Sequence, residues 1–237
     1  MDVNNFNATK EGTAILVDKP LGWTSFNVVG KIRTLIHRAT GDRTIKVGHA
    51  GTLDPLATGL LVICTGRATK QIDSLMNGKK EYLATLKLGE TTPSFDLETP
   101  PDGQFPTEHI TPTLIAETLK NFMGIQHQTP PLFSAKYING KRAYKYARKG
   151  IEVALEPVPI EIFEMEMLSF EPPLLTLRIC CSKGTYIRAL ARDIGVALGS
   201  GAHLVALRRT VSGDFRISEA LSIQELEKIF SSPMQQT

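Results

Sequence analysis

The chain has no long hydrophobic run. Its longest clear one, Gly59–Cys64, falls far short of the roughly 18 apolar residues that a membrane span needs, so no membrane partner is expected. Cysteine is scarce: of three residues, Cys64 stands alone and Cys180 and Cys181 are adjacent. That pattern is neither the even framework of a secreted disulfide scaffold nor a metal-ligand spacing. A Walker loop, a Rossmann fingerprint and a His/Cys cluster are missing too. The first residues, MDVNNFNATKEG, lack the charged-then-apolar layout of an export signal. Together these absences point to a reducing cytoplasm.

What is present is ordinary in amount and uneven in distribution. A length of 237 residues suffices for one large core or two small ones, and 42% hydrophobic with 22% charged residues is typical of a globular protein. A formal net charge of +3 says little by itself. Its placement says more: Lys136, Lys141, Arg142, Lys145, Arg148 and Lys149 run without an acid, and Tyr137, Tyr144 and Tyr146 are interleaved. Cations neutralise phosphates and rings stack on bases, so the stretch reads either as a nucleic-acid footprint or as a solvated helix face.

The order of elements predicts a mixed α+β fold with a largely antiparallel sheet. Thr13–Val17 reads as a strand. A helix follows from Thr24 or Ser25 to about His37, with Phe26, Val29, Ile32 and Ile36 on one face. GLLVIC suits a buried strand, and Tyr82–Leu88 alternates as a strand does. Residues 91–111, rich in Pro, Thr and Asp, predict an exposed loop. Thr111-Pro112 opens a helix, Glu161–Phe170 and Leu174–Cys181 read as paired strands, and Thr185 to about Leu198 as a helix. Ser222 with Glu225 forms a capping box for a last helix. No linker or repeat interrupts the chain, so a single domain is expected.

The segment GHAGTLDPLATG is the most informative. Its glycines permit positive φ and close backbone approach, and Asp54-Pro55 fixes an extended-to-turn junction. An Asp-Pro pair alone is commonly a helix start. Here His49 lies five residues earlier and an apolar run follows at once.

KVGHAGTLDPLATGLLVICTGRATK resembles the catalytic motif of the TruB family, the tRNA pseudouridine-55 synthases. VDKPLGWTS, EYLATLKLGETTPSFD, PPLFSAKYINGKRAYKYARKG, CSKGTYIRALARDIG and GAHLVALRRT resemble its other segments, in order, over about residues 13–221. The resemblance implies the pseudouridine synthase fold, with a basic RNA-binding insert over about 124–150 that includes Lys136, Lys141 and Arg142. It implies isomerisation of the T-arm uridine of tRNA. Asp54 would be the catalytic carboxylate, paired with Arg188. Tyr82 would stack on the flipped uracil, beside Tyr186, with His49 assisting eversion and Leu207 lining the uracil pocket. Lys19-Pro20 would pack beneath the catalytic loop. Read without the resemblance, Tyr82 and Leu207 are core residues, His49 a loop histidine, and Arg188 part of a solvated helix face.

The chemistry fits one carboxylate. A glycosidase needs two because the leaving group departs and water attacks. Here the base is retained and rejoined through carbon, so one carboxylate suffices if water is kept out. Attack at C1′, addition to the uracil and a glycal route all agree with that, and none requires a metal or organic cofactor. A guanidinium such as Arg188 would keep Asp54 ionised and oriented.

The chain departs from the family pattern in three places. After Arg216 it has only about twenty residues, so a PUA-like RNA-binding domain is expected to be absent. Pro93 and Ser94 replace the usual residues of ETTDT-x-D, and Tyr137 stands where many relatives have Lys; all are expected to lie outside the chemistry. The competing readings are a guide-directed relative and an RNA-folding chaperone, and a monomer is the expected state.

Overall fold

The computed structural model describes residues 12–231 apart from 135, 139, 148 and 152. The amino-terminal reading therefore lies largely outside the described residues, as do Arg148 and the polar tail. The chain divides into two compact units, Met1–Glu81 with Arg208–Thr237, and Tyr82–Leu207. Among the described residues no helix is long and apolar enough to cross a membrane.

In the first unit the chain runs through β1 (Ala14–Lys19), α1 (Ser25–Thr40), β2 (Val47–His49), β3 (Ala57–Thr65) and α2 (Ile72–Met76), and it enters β4 (Lys80–Leu88). β1 pairs antiparallel with β3 from Ala14↔Cys64 to Lys19↔Gly59, and β2 also pairs antiparallel with β3, from Val47↔Thr65 to His49↔Ile63. Helix α1 begins as its sequence dictates. Thr24 caps it, accepting from Asn27 N–H while the Asn27 side chain accepts from Thr24 N–H, so two orphan donors are satisfied together. Gly41, at φ 71°, ends it in the left-handed conformation that glycine adopts without a steric penalty. The helix buries Val28, Val29, Ile32, Leu35 and Ile36. Phe26, expected on that face, falls outside the stripe and is 68% exposed.

The second unit continues with β5 (Glu90–Thr91), β6 (Gly103–Gln104), α3 (Pro112–Lys120), β7 (Gly124–Gln128), β8 (Tyr137–Ile138), β9 (Lys141–Arg142), α4 (Tyr144–Ala147), β10 (Val158–Glu171), β11 (Leu174–Cys181) and α5 (Ile187–Ala197). It ends within β12 (Ala202–Ser212), and the chain then returns to the first unit for β13 (Phe215–Arg216) and α6 (Ile223–Ser231). The second unit's strands lie in the order β12-β4-β11-β10-β7. β4 alternates buried and half-buried residues along its whole length, and in β11 Leu175, Leu177, Ile179 and Cys181 are fully buried, as the alternation predicts. The expected α+β fold with a mainly antiparallel sheet is what forms.

The segment expected to be an exposed loop, 91–111, is different. It contains the β5–β6 hairpin, and Thr92, Ser94 and Asp96 are buried. Polar side chains can be buried there because they satisfy one another: Thr92 Oγ1 and Ser94 Oγ both donate to the Asp96 carbonyl, and Ser94 N–H donates to Thr99 Oγ1.

Candidate active site

In the first unit, β2 and β3 are two antiparallel strands joined by the segment that carries Asp54. Ala50 N–H donates to Val62 O, and then the chain leaves the ladder. Asp54-Pro55 does not start a helix. Asp54 O accepts from Ala57 N–H at 3.1 Å, a turn that delivers the chain into β3. Gly59, at φ 98°, is required where β3 starts, since a Cβ there would lie 2.3 Å from Arg209 O.

The loop's carbonyl groups are held by side chains brought from elsewhere in the unit. Ser25, buried at the first position of α1, accepts from Leu53 N–H at 2.8 Å and donates to Leu53 O at 3.0 Å. Lys19 at the end of β1 is fully buried, and its ammonium donates to the carbonyls of Pro20, Trp23 and Pro55. Arg209 of β12 is 1% exposed. Its guanidinium donates to Leu60 O at 2.8 Å, Gly51 O at 3.1 Å and Thr52 O at 3.4 Å. Backbone groups that would be orphaned by the irregular loop thus find cationic donors, which make the stronger hydrogen bonds. The expectation that Lys19 packs beneath the loop agrees with this. Arg209 is not singled out by the sequence, because an Arg-Arg pair reads as solvated.

These cations shape the electrostatics around half-buried Asp54. Burial pushes the Lys19 ammonium down to about 8, the Asp54 carboxylate opposes that fall and Arg209 adds to it. For His49, burial first and Arg209 second push the imidazole below its ordinary value, so it is neutral at pH 7. Its Nδ1 is buried without a hydrogen-bond partner among the described residues.

The Lys19 shift makes a testable statement about stability. The unfolded chain holds this proton up to its ordinary value of 10.5, while the folded protein releases it near 8. Between those values the unfolded state binds more protons, so Lys19 contributes a rise in stability as pH climbs from 8 to 10.5. Urea unfolding across that window should show this rise in the native chain and its loss in Lys19→Met. Equal pH slopes for the two proteins would contradict the assignment.

In the second unit, Tyr82 lies on β4 and is 8% exposed, and Leu207 lies half-buried on β12. Tyr186 is the N-cap residue of α5, clamped by the Gln128 amide, which accepts from Tyr186 N–H at 2.8 Å and donates to Tyr186 O at 3.1 Å. Arg188 is buried on the first turn of that helix, not on a solvated face. It donates to Ser94 O at 3.1 Å and Phe133 O at 3.0 Å, and its Nε lies 3.5 Å from the Asp96 carboxylate. The loop it grips is strained: Phe95 has φ 61°, alone in the left-handed region among the described residues other than glycine. Arg192 stacks on the Phe95 ring at 4.7 Å, and Leu204 N–H donates to Phe95 O.

Ser94, expected to lie apart from the site residues, therefore touches Arg188 through its carbonyl. Asp96 belongs to the same cluster and escaped the sequence reading, because a carboxylate among Pro, Thr and Ser reads as a turn former. In the basic insert, Lys141 and Arg142 form β9, paired with Tyr137–Ile138, and the half-buried Lys136 accepts from Ala143 N–H through its carbonyl. The stretch is a hairpin followed by the short α4, so the helix-face reading covers only Tyr144–Ala147, where Lys145 is exposed.

The architecture matches solved structures of known class. A Cbf5-Nop10-Gar1 complex superposes with a TM-score of 0.71 at 30% identity, over 94% of this chain and 55% of that one. An H/ACA RNP bound to a substrate RNA containing 2′-deoxyuridine gives 0.67 at 27% identity, over 94% and 54%. The chain thus spans about half the length of those proteins. The fold they share is that of the pseudouridine synthases. Sequence narrows the class further. The TruB family pseudouridylate synthase N-terminal domain matches residues 37–187, and the tRNA pseudouridylate synthase B C-terminal domain matches 188–235. The tRNA pseudouridine synthase B of Parabacteroides distasonis is 56% identical over 216 residues, covering 91% of this chain and 92% of that protein. That of Flavobacterium johnsoniae is 49% identical over 219 residues, covering 92% and 96%. The chain belongs to the TruB family of pseudouridylate synthases.

Proposed function

We propose that this enzyme converts the T-arm uridine of tRNA to pseudouridine in the cytoplasm, with Asp54 as the catalytic carboxylate. The observation that carries the reading is the loop around Asp54, whose carbonyls are gripped by two buried cations, Lys19 and Arg209. A carboxylate set in such a loop keeps its position without reorganisation when charge develops opposite it.

The reaction breaks the bond between C1′ and N1, turns the uracil, joins C1′ to C5, releases the C5 proton and leaves N1 to take up a proton. Asp54 supplies the negative charge that stabilises or bonds the electron-poor partner of the broken bond. Tyr82 offers a ring for the flipped uracil, and an extruded base needs such a face to offset its lost stacking. Neutral His49 assists eversion, Leu207 and Tyr186 line the uracil site, and Arg188 orients the carboxylate it pairs with. Lys136, Lys141 and Arg142 meet the phosphates of the T-stem-loop.

The test is turnover of the purified chain on an unmodified tRNA transcript tritiated at C5 of its uridines. About one equivalent of tritium released per tRNA, mapped to the T-arm uridine, is the expected result. Binding without release from any tRNA or stem-loop would replace this reading by that of an RNA chaperone.

A further inference from the structure

We propose that the outer face of α1 is a second docking surface for the phosphodiester backbone of the same substrate RNA. The proposal rests on the tRNA reading above and adds a contact that neither the catalytic loop nor the basic insert supplies. Helix α1 carries Lys31, Arg33, His37 and Arg38 and no acidic residue. An open groove of about 480 Å³ runs along it, lined by Trp23, Asn27, Lys31, Thr34 and Arg38, with Gly30 among them. Trp23, half-buried, is the single tryptophan of the chain.

Gly30 is the telling residue. In a helix interior glycine weakens the helix relative to alanine, so an isolated one calls for a reason. Its backbone does not require positive φ, and a Cβ placed there would meet no atom within 4 Å. Neither conformation nor packing within the chain explains it. What a missing side chain permits at an open groove is close approach by a molecule from outside.

The charges identify that molecule. Lys31 forms an ion pair with Glu227 of α6, so it is already partly neutralised. Arg38 lines the groove, is exposed and has no ion-pair partner among the described residues. The Arg38 guanidinium, polar Asn27 and Thr34, and the half-buried Trp23 ring suit a sugar-phosphate chain and its bases better than an apolar protein face. The groove also starts in the right place. Gly22 lines one end, and its N–H donates to the carbonyl of Pro55, the neighbour of Asp54. From Asn27 to Arg38 the helix carries the surface about 16 Å onward, so RNA leaving the reacting nucleotide can follow it.

Two variants test this with filter binding to an unmodified tRNA transcript. Arg38→Gln should raise Kd severalfold near 0.15 M salt and flatten the slope of log Kd against log salt by roughly 0.9. Gly30→Gln should raise the urea midpoint of unfolding, because the helix gains a better former, yet raise Kd severalfold. A purely structural role for Gly30 cannot move stability and affinity in opposite directions. Wild-type tritium release from the same tRNA separates the two readings. If the wild type turns over and both variants bind with its Kd and salt slope, the groove is not a docking surface and the proposed function stands. If the wild type releases nothing, the tRNA reading fails and the groove proposal fails with it.

Discussion

Asp54→Asn should lower single-turnover tritium release by on the order of 10⁴-fold or more while leaving tRNA binding within about twofold, because removing a group that acts in the reaction itself lowers the chemical step and not the affinity. The substitution is nearly isosteric. It leaves the Asp54 carbonyl free to accept from Ala57 N–H, so the turn into β3 survives. It removes the one charge that favours protonated Lys19, so the Lys19 ammonium should fall still further below its ordinary range. A reacting centre that needs negative charge then faces a neutral amide beside two cationic donors. Release within tenfold of the wild type would remove Asp54 from the chemistry. Equal loss of binding and turnover would make its role structural.

Much of the arrangement was legible in the chain, for physical reasons that can be traced. The alternation of Tyr82 to Leu88 and of Leu175 to Cys181 reports a pleated strand with one buried face, and both strands form. The helix from Ser25 was legible from its Thr24 cap, although its length was underestimated by a turn and Phe26 was assigned to the wrong face. The Asp54 loop was legible because glycines and Asp-Pro crowd a short segment beside an apolar strand.

What escaped was polar and buried. Arg209 looks like a surface cation in the sequence, since a side chain of that kind is almost never buried without partners. Its partners are backbone carbonyls of an irregular loop, which no pattern of side chains announces. The Thr92–Asp96 turn has the composition of a solvated loop, yet its hydroxyls and carbonyls satisfy each other in the interior. The strand Ala202–Ser212 was missed for a related reason. Arg208 and Arg209 break its apolar alternation, one pairing with Asp18 and the other turning inward to the loop.

Arg209 anchors the Asp54 loop at three carbonyls. Arg209→Met preserves most of the side-chain volume but removes donors from the carbonyls of Gly51, Thr52 and Leu60 at once. An unsatisfied buried carbonyl costs about 1–3 kcal/mol, and water entering the gap will recover part of that, so a loss of about 3–5 kcal/mol in unfolding free energy is expected. Arg209→Lys keeps the charge but not the planar fork that reaches both Gly51 and Leu60, so it should fall between the two. Stability alone would not distinguish a loop anchor from any buried arginine. The distinguishing readout is His49, whose imidazole Arg209 holds down. In folded Arg209→Met the His49 resonance should titrate at higher pH than in the wild type, and turnover should fall further than tRNA affinity. If unfolding, the His49 titration and turnover all match the wild type, the catalytic loop does not depend on Arg209. In that case Lys19 and Ser25 hold it alone.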